Sequence, residues 1–131
     1  MFENIMVPSD GSKYSDKAVE LAIEIAKKFN SKITAVHVID EKTMFPYEKL
    51  EDEGNEILEK IAKKGFKAGI EVTEQLITGD PLRDMKTIAK KANVDSIVIS
   101  THGRNKLEKL MVGSVTDRVI QTFDIPVILA K

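Results

Sequence analysis

Late in the chain two glycines, Gly103 and Gly113, flank a stretch of nine residues, and Ser114-Val115-Thr116 follows the second. Glycine has no Cβ, so it admits positive φ and lets a ligand lie against the main chain. If a helix begins near Ser114, its first N–H groups lack partners within the helix and carry partial positive charge. Together with the hydroxyls of Ser114 and Thr116, they would suit the oxygens of a polyphosphate. Leu107, Leu110 and Met111 recur at helical spacing and would pin the intervening loop to the core. The plainer alternative is that Gly113 ends a short helical turn and Ser114 caps the next helix. Taken alone, the segment favours that alternative, because helix caps far outnumber phosphate sites.

A second candidate stretch is Ser9-Asp10-Gly11-Ser12, just past the first apolar run. Asp10 could accept hydrogen bonds from ribose hydroxyls, as acidic residues do in other nucleotide sites. Asp-Gly is also an ordinary turn-forming pair, and alone it reads as one. The chain has two histidines: His37 lies inside an apolar strand and reads as a packed residue with a satisfied ring, while His102 follows another strand and is more open to a ligand role. Neither is joined by an acidic cluster of ligand spacing, so a protein-built metal site is not expected. No motif sets a base beside a particular serine, so no catalytic residue is assigned.

These residues must be positioned by a chain of 131 residues, long enough to bury a core as one domain over residues 1–131. Its 20 basic and 21 acidic side chains leave a formal charge of −1, which gives no field to attract nucleic acid. There is no 18-residue apolar run, no basic-then-apolar leader and no cysteine, so a membrane span, a secretory route and thiol chemistry are not expected. A cytoplasmic protein is the default expectation.

Periodicity predicts alternating strands and helices. Ile5–Val7 is a short strand ended by Pro8, followed by a turn and a helix with Ala18, Leu21, Ala22, Ile25 and Phe29 on one face and Ser15 as its N-cap. Ile33–Ile39 is a buried strand rich in β-branched residues. A loop from Asp40 to Pro46 leads into a long charged helix with Leu50, Ile57, Leu58 and Ile61, whose end frays at Gly65 and Gly69. Its Lys/Glu pattern reads as a solvated face. Ile70–Ile77 is the third strand. Asp80 then caps a helix with Pro81 at its first position and a stripe of Leu82, Met85, Ile88, Ala89 and Ala92. Ile97–Ile99 is the fourth strand, Val115, Val119, Ile120 and Phe123 mark the last helix, and Pro126–Ala130 is the final strand.

Strands joined by helices of this length favour an α/β fold, a doubly wound parallel sheet with helices on both faces. Ligands of such sheets collect beyond the carboxyl ends of the strands where the winding reverses. Periodicity does not choose the strand order. If the first and fourth strands are neighbours at the reversal, the Ser9–Ser12 turn and the Ser100–Ser114 loop share one cleft.

The chain resembles the universal stress protein family, small α/β domains of the adenine-nucleotide alpha-hydrolase-like class. The resemblance runs from Ile5-Met-Val-Pro-Ser-Asp-Gly-Ser12 through Val36-His-Val-Ile-Asp40 and Gly79-Asp-Pro81 to Pro126-Val-Ile-Leu129. Its most specific mark is a late pattern of Gly, two residues, Gly, nine residues, Gly, then Ser or Thr. Gly103, Arg104 to Val112 and Gly113-Ser114 match all but the first glycine, which is Ser100 here. Serine is tolerated if that position is a plain exit from the strand, and crowds the ligand if it needs positive φ or lies against ribose.

The resemblance implies five parallel strands in the order 3-2-1-4-5 and a bound ATP, its divalent Mg2+ or Mn2+ carried by the nucleotide. It implies that the Val38 backbone meets adenine, that Asp10 holds the nucleoside with Pro8 and Ser9 beside it, and that Ile99, Ser100, Gly103, Arg104, Gly113, Ser114, Val115 and Thr116 surround the rest. It also implies a homodimer through the last strand, Val127–Ala130, which would cover an open sheet edge. Slow ATP hydrolysis is the enzymatic alternative. A nucleotide-free module that binds a partner is the other.

Overall fold

The computed structural model describes residues 1–102 and 112–131. Nine elements alternate along them: β1 (Asn4–Pro8), α1 (Lys13–Phe29), β2 (Lys32–Asp40), α2 (Tyr47–Lys67), β3 (Val72–Gly79), α3 (Pro81–Lys91), β4 (Ser96–Ser100), α4 (Ser114–Thr122) and β5 (Val127–Ala130). The strands form one parallel sheet in the order β3-β2-β1-β4-β5, so the expected doubly wound order holds. Leu107, Leu110 and Met111 lie outside the described residues.

Each strand's alternation sends neighbouring side chains to opposite faces. On one face Ile5, Val7, Ile33, Ala35 and Val98 pack under Ala18, Ala22 and Ala26 of α1 and Leu58 and Ile61 of α2. On the other, Met6, Val36, Ile97 and Ile99 pack under Met85, Ile88 and Ala89 of α3 and Val119 of α4. Both faces are therefore covered by two helices each. Among the described residues no helix is long and apolar enough to cross a membrane.

The helix ends follow their local chemistry. Asp80 caps α3 as expected, its carboxylate accepting the Leu82 N–H with Pro81 at the first position. At α1 the N-cap is Ser12 and not Ser15: the Ser12 hydroxyl accepts the Ser15 N–H at 3.2 Å. Gly65 does not fray. It lies buried within α2, where an added Cβ would stand 2.3 Å from Val72 Cγ2. The helix stops two residues past it, and the left-handed Gly69 lets the Ile70 N–H return to the Gly65 carbonyl at 2.8 Å and its own N–H to the Phe66 carbonyl at 3.0 Å. Phe29 and Leu82, expected on the apolar faces of their helices, are 57% and 37% exposed, and Ile120, expected to mark the last helix, is 44% exposed. Each sits in the first or last turn of its helix.

Register explains where the sheet opens. β2 pairs with β3 over eight positions and with β1 over five. At the reversal, β1 pairs with β4 only at Ile5–Ser96 and Met6–Ile97. Beyond Met6 the two strands have no paired register, and their carboxyl ends diverge.

Candidate functional site

A cleft of about 270 Å³ opens at that divergence. Of the residues expected there, Pro8, Ser9, Asp10, Val38, Ile99, Ser100, Gly113, Ser114, Val115 and Thr116 all line it. Gly103 and Arg104 lie outside the described residues. Ser15, Val36, His37, Pro81, Met85 and His102 line it as well. Pro81 and Met85 were legible only as a helix start and a buried stripe, and nothing in their spacing says that this turn faces a cleft. Val36, Val38, Met85 and Ile99 contribute apolar wall, while Asp10, Ser114 and Thr116 are among its polar lining residues.

The β1–α1 turn is held by a closed set of hydrogen bonds. Ser9 N–H donates to the Val36 carbonyl at 2.8 Å, continuing the ladder one residue past β1. Its carbonyl accepts from His37 Nδ1 at 2.8 Å, which gives that ring nitrogen its partner. The Ser15 hydroxyl donates to the Ser12 carbonyl at 2.9 Å, which leaves the Ser9 hydroxyl as donor to Ser15 Oγ at 3.0 Å. Ser9 Oγ in turn accepts the Gly11 N–H, and Asp10 Oδ1 accepts the Ser12 N–H at 2.9 Å. Gly11, at φ 81°, makes the left-handed step that turns the chain into α1.

Across the cleft, α4 begins at Ser114 with Gly113 as N-cap and no side-chain cap. Gly113 N–H donates to the Thr101 carbonyl at 2.7 Å, and the first intrahelical bond runs from Asp117 N–H to the Gly113 carbonyl. The N–H groups of Ser114, Val115 and Thr116 thus precede the helical ladder, at the positive end of the helix. Ser114 is the first helical residue and does not cap. The Thr116 hydroxyl, expected as a phosphate donor, instead donates to the Ser100 carbonyl at 2.6 Å and is 4% exposed. It fastens α4 to the exit of β4. Ser100 is extended, paired with Ala130, and its hydroxyl donates to the His102 carbonyl at 2.7 Å. His102 Nδ1 lies 2.9 Å from Thr101 Oγ1, and its ring packs 5.5 Å from that of Tyr14.

Asp10, His37 and His102 are the titratable groups among the described lining residues. None of those residues is a lysine or arginine, so the positive end offered by this wall is made of main-chain N–H groups. Among the described residues no group of three or more metal-binding side chains occurs. The chemistry on offer is recognition: an apolar slot, an acceptor carboxylate and a helix N-terminus in one cleft.

Arg83 links two neighbouring elements outside the cleft lining. Its guanidinium bonds Asp84 at 2.8 and 2.7 Å and Glu41 at 3.2 Å twice, tying the loop after β2 to the start of α3. The Arg83 guanidinium and then the Asp80 N–H hold the Asp84 carboxyl at about 2, below the usual 3.8. The carboxylates in turn raise the Arg83 pKa further.

The chain matches the family model described as the universal stress protein family over residues 1–131. It is 32% identical to a universal stress protein of Methanocaldococcus jannaschii, covering 100% of this chain and 83% of that relative. Its fold superposes on the solved structure of a second universal stress protein from the same organism with a TM-score of 0.85 at 29% identity, covering 100% of this chain and 96% of the other. A universal stress protein of Archaeoglobus fulgidus, solved in complex with dAMP, superposes with a TM-score of 0.79 at 24% identity over the whole of both chains.

Proposed function

The chain belongs to the universal stress protein family, and from that premise we propose that it binds an adenine nucleotide, ATP, as a ligand or regulatory switch. The observation that carries this reading is the meeting of three features in one cleft: the Asp10 turn, Val38 two residues before the end of β2, and the start of α4 at Gly113 with no side-chain cap. The base enters the slot between Val36, Val38 and Met85, with the Val38 main chain meeting its edge. The Asp10 carboxylate accepts from the ribose hydroxyls. The phosphates face Gly113 and the first N–H groups of α4, and Gly103 and Arg104 complete that end. A divalent Mg2+ or Mn2+ rides on the phosphates, carried by the nucleotide.

The dAMP held by the A. fulgidus protein lends support, because it shares the base and the first phosphate with ATP. The proposal extends to a single domain over residues 1–131, working in the cytoplasm as a homodimer through Val127–Ala130. The test is calorimetric titration of nucleotide-stripped protein with ATP and Mg2+. Saturable heat with one site per chain is expected; a folded protein that gives no heat at millimolar nucleotide ends the reading.

A further inference from the structure

His37 lines the cleft beside the Asp10 turn and is not among the residues expected to contact the nucleotide. Its side chain is half-buried in β2, and Nδ1 lies 2.8 Å from the Ser9 carbonyl oxygen. A carbonyl only accepts, so Nδ1 carries the proton. Ser9 is thereby held by β2 through both its main-chain groups, its N–H on Val36 and its oxygen on the imidazole. That oxygen belongs to the peptide unit whose nitrogen is Asp10's. The unit is planar, so fixing its oxygen fixes its rotation and the direction in which Asp10 leaves the chain.

The ring itself is seated by a glycine on α2. A Cβ at Gly54 would stand 2.9 Å from His37 Cδ2 and 2.5 Å from Leu76 Cδ1, so the missing side chain leaves the room the imidazole occupies. Strand, turn and helix therefore converge on one N–H···O bond, directly before the carboxylate that faces the ligand.

We infer that His37 is a positioning residue for nucleotide binding, which sets Asp10 against the ribose through the Ser9 carbonyl. This rests on the nucleotide reading above. A histidine kept only for packing would be replaceable by an apolar side chain of similar size. A positioning histidine needs a donor where Nδ1 stands, which asparagine supplies and leucine does not; glutamine places its amide farther out.

The experiment compares His37→Leu, His37→Asn and His37→Gln by calorimetric titration with ATP and Mg2+, and with inorganic tripolyphosphate, which has no ribose. Leucine and glutamine are expected to weaken ATP by roughly two- to tenfold, the range of one hydrogen bond's net worth. Asparagine stays within about twofold of wild type, and tripolyphosphate affinity does not change in any of them. In an Asp10→Ala background, His37→Leu costs nothing further. Equal affinities in leucine and asparagine, or a leucine effect that persists without Asp10, overturn the inference. A wild type that binds no ATP would instead end the nucleotide reading. Hydrogen exchange of the Asp10 amide in nucleotide-free protein then decides about His37, by accelerating in leucine and not in asparagine; unchanged exchange overturns it.

Discussion

Thr116→Val separates two roles for one hydroxyl. If Thr116 served the phosphates, valine would lower nucleotide affinity and leave the empty protein as stable as before. The geometry predicts the reverse order of effects. Oγ1 donates to the Ser100 carbonyl at 2.6 Å from a side chain only 4% exposed. Valine keeps the shape and removes the donor, so the loss is that of the bond together with a buried carbonyl deprived of this partner, about 1–3 kcal/mol. With an unfolding entropy of about 2.1 cal/mol/K per residue over 131 residues, the melting midpoint falls by about 4–11 °C. Urea denaturation of nucleotide-free protein should show a lower midpoint and an unchanged slope. ATP affinity falls as well, because the first turn of α4 is no longer fixed to the exit of β4. A nucleotide-free protein with wild-type stability and lost affinity would refute the assignment and return the hydroxyl to the phosphates.

Gly113→Val should abolish ATP binding while the fold persists, since φ −63° and ψ 156° are open to any residue; surviving affinity in the titration would put the phosphates elsewhere. The Asp84 carboxyl, held at about 2 by Arg83 and the Asp80 N–H against an ordinary 3.8, contributes stability that is complete above 3.8 and lost as pH falls towards 2. Asp84→Asn should therefore be less stable than wild type at pH 5, with the gap narrowing from below pH 3.8 and closing only as pH falls through about 2; a gap that widens on acidification would contradict the pairing. Sedimentation equilibrium should give a particle of twice the 14.6 kDa chain if β5 pairs across a two-fold axis, and a monomer at all concentrations would rule that pairing out.

How much of this was readable in advance depends on whether a feature is local. The start of α3 was legible because Asp80 and Pro81 each act within one turn. The start of α1 was misread because Ser12 and Ser15 are equally good caps by type; the choice falls to Ser12, whose Oγ meets the Ser15 N–H while the Ser15 hydroxyl turns to the Ser12 carbonyl and Ser9 Oγ. Gly54 and Gly65 carry no local signal at all. Their reason lies on the sheet, in His37, Leu76 and Val72 beneath them. The cleft was of the same kind: Asp10 and Gly113 could each be named, but only the strand order makes them neighbours, and that order came from the resemblance and not from periodicity. Phe29 keeps its helical phase yet, as the last residue of α1, packs its ring 5.2 Å from that of Phe2.

Ser100 shows how a departure from the family's pattern can be absorbed. A glycine there would matter if the backbone were left-handed, and the described non-glycine residues with positive φ are Phe2, Asn30 and Asn93. Ser100 instead ends β4 in extended form, in register with Ala130, where any side chain is allowed. Ser100 lines the cleft, and its hydroxyl donates to the His102 carbonyl, closing a turn that glycine could not close. The same residue's carbonyl receives Thr116. Position 100 is thus a junction between β4, the loop that leaves it and the helix that frames the cleft, and the added hydroxyl stiffens that junction from the strand side.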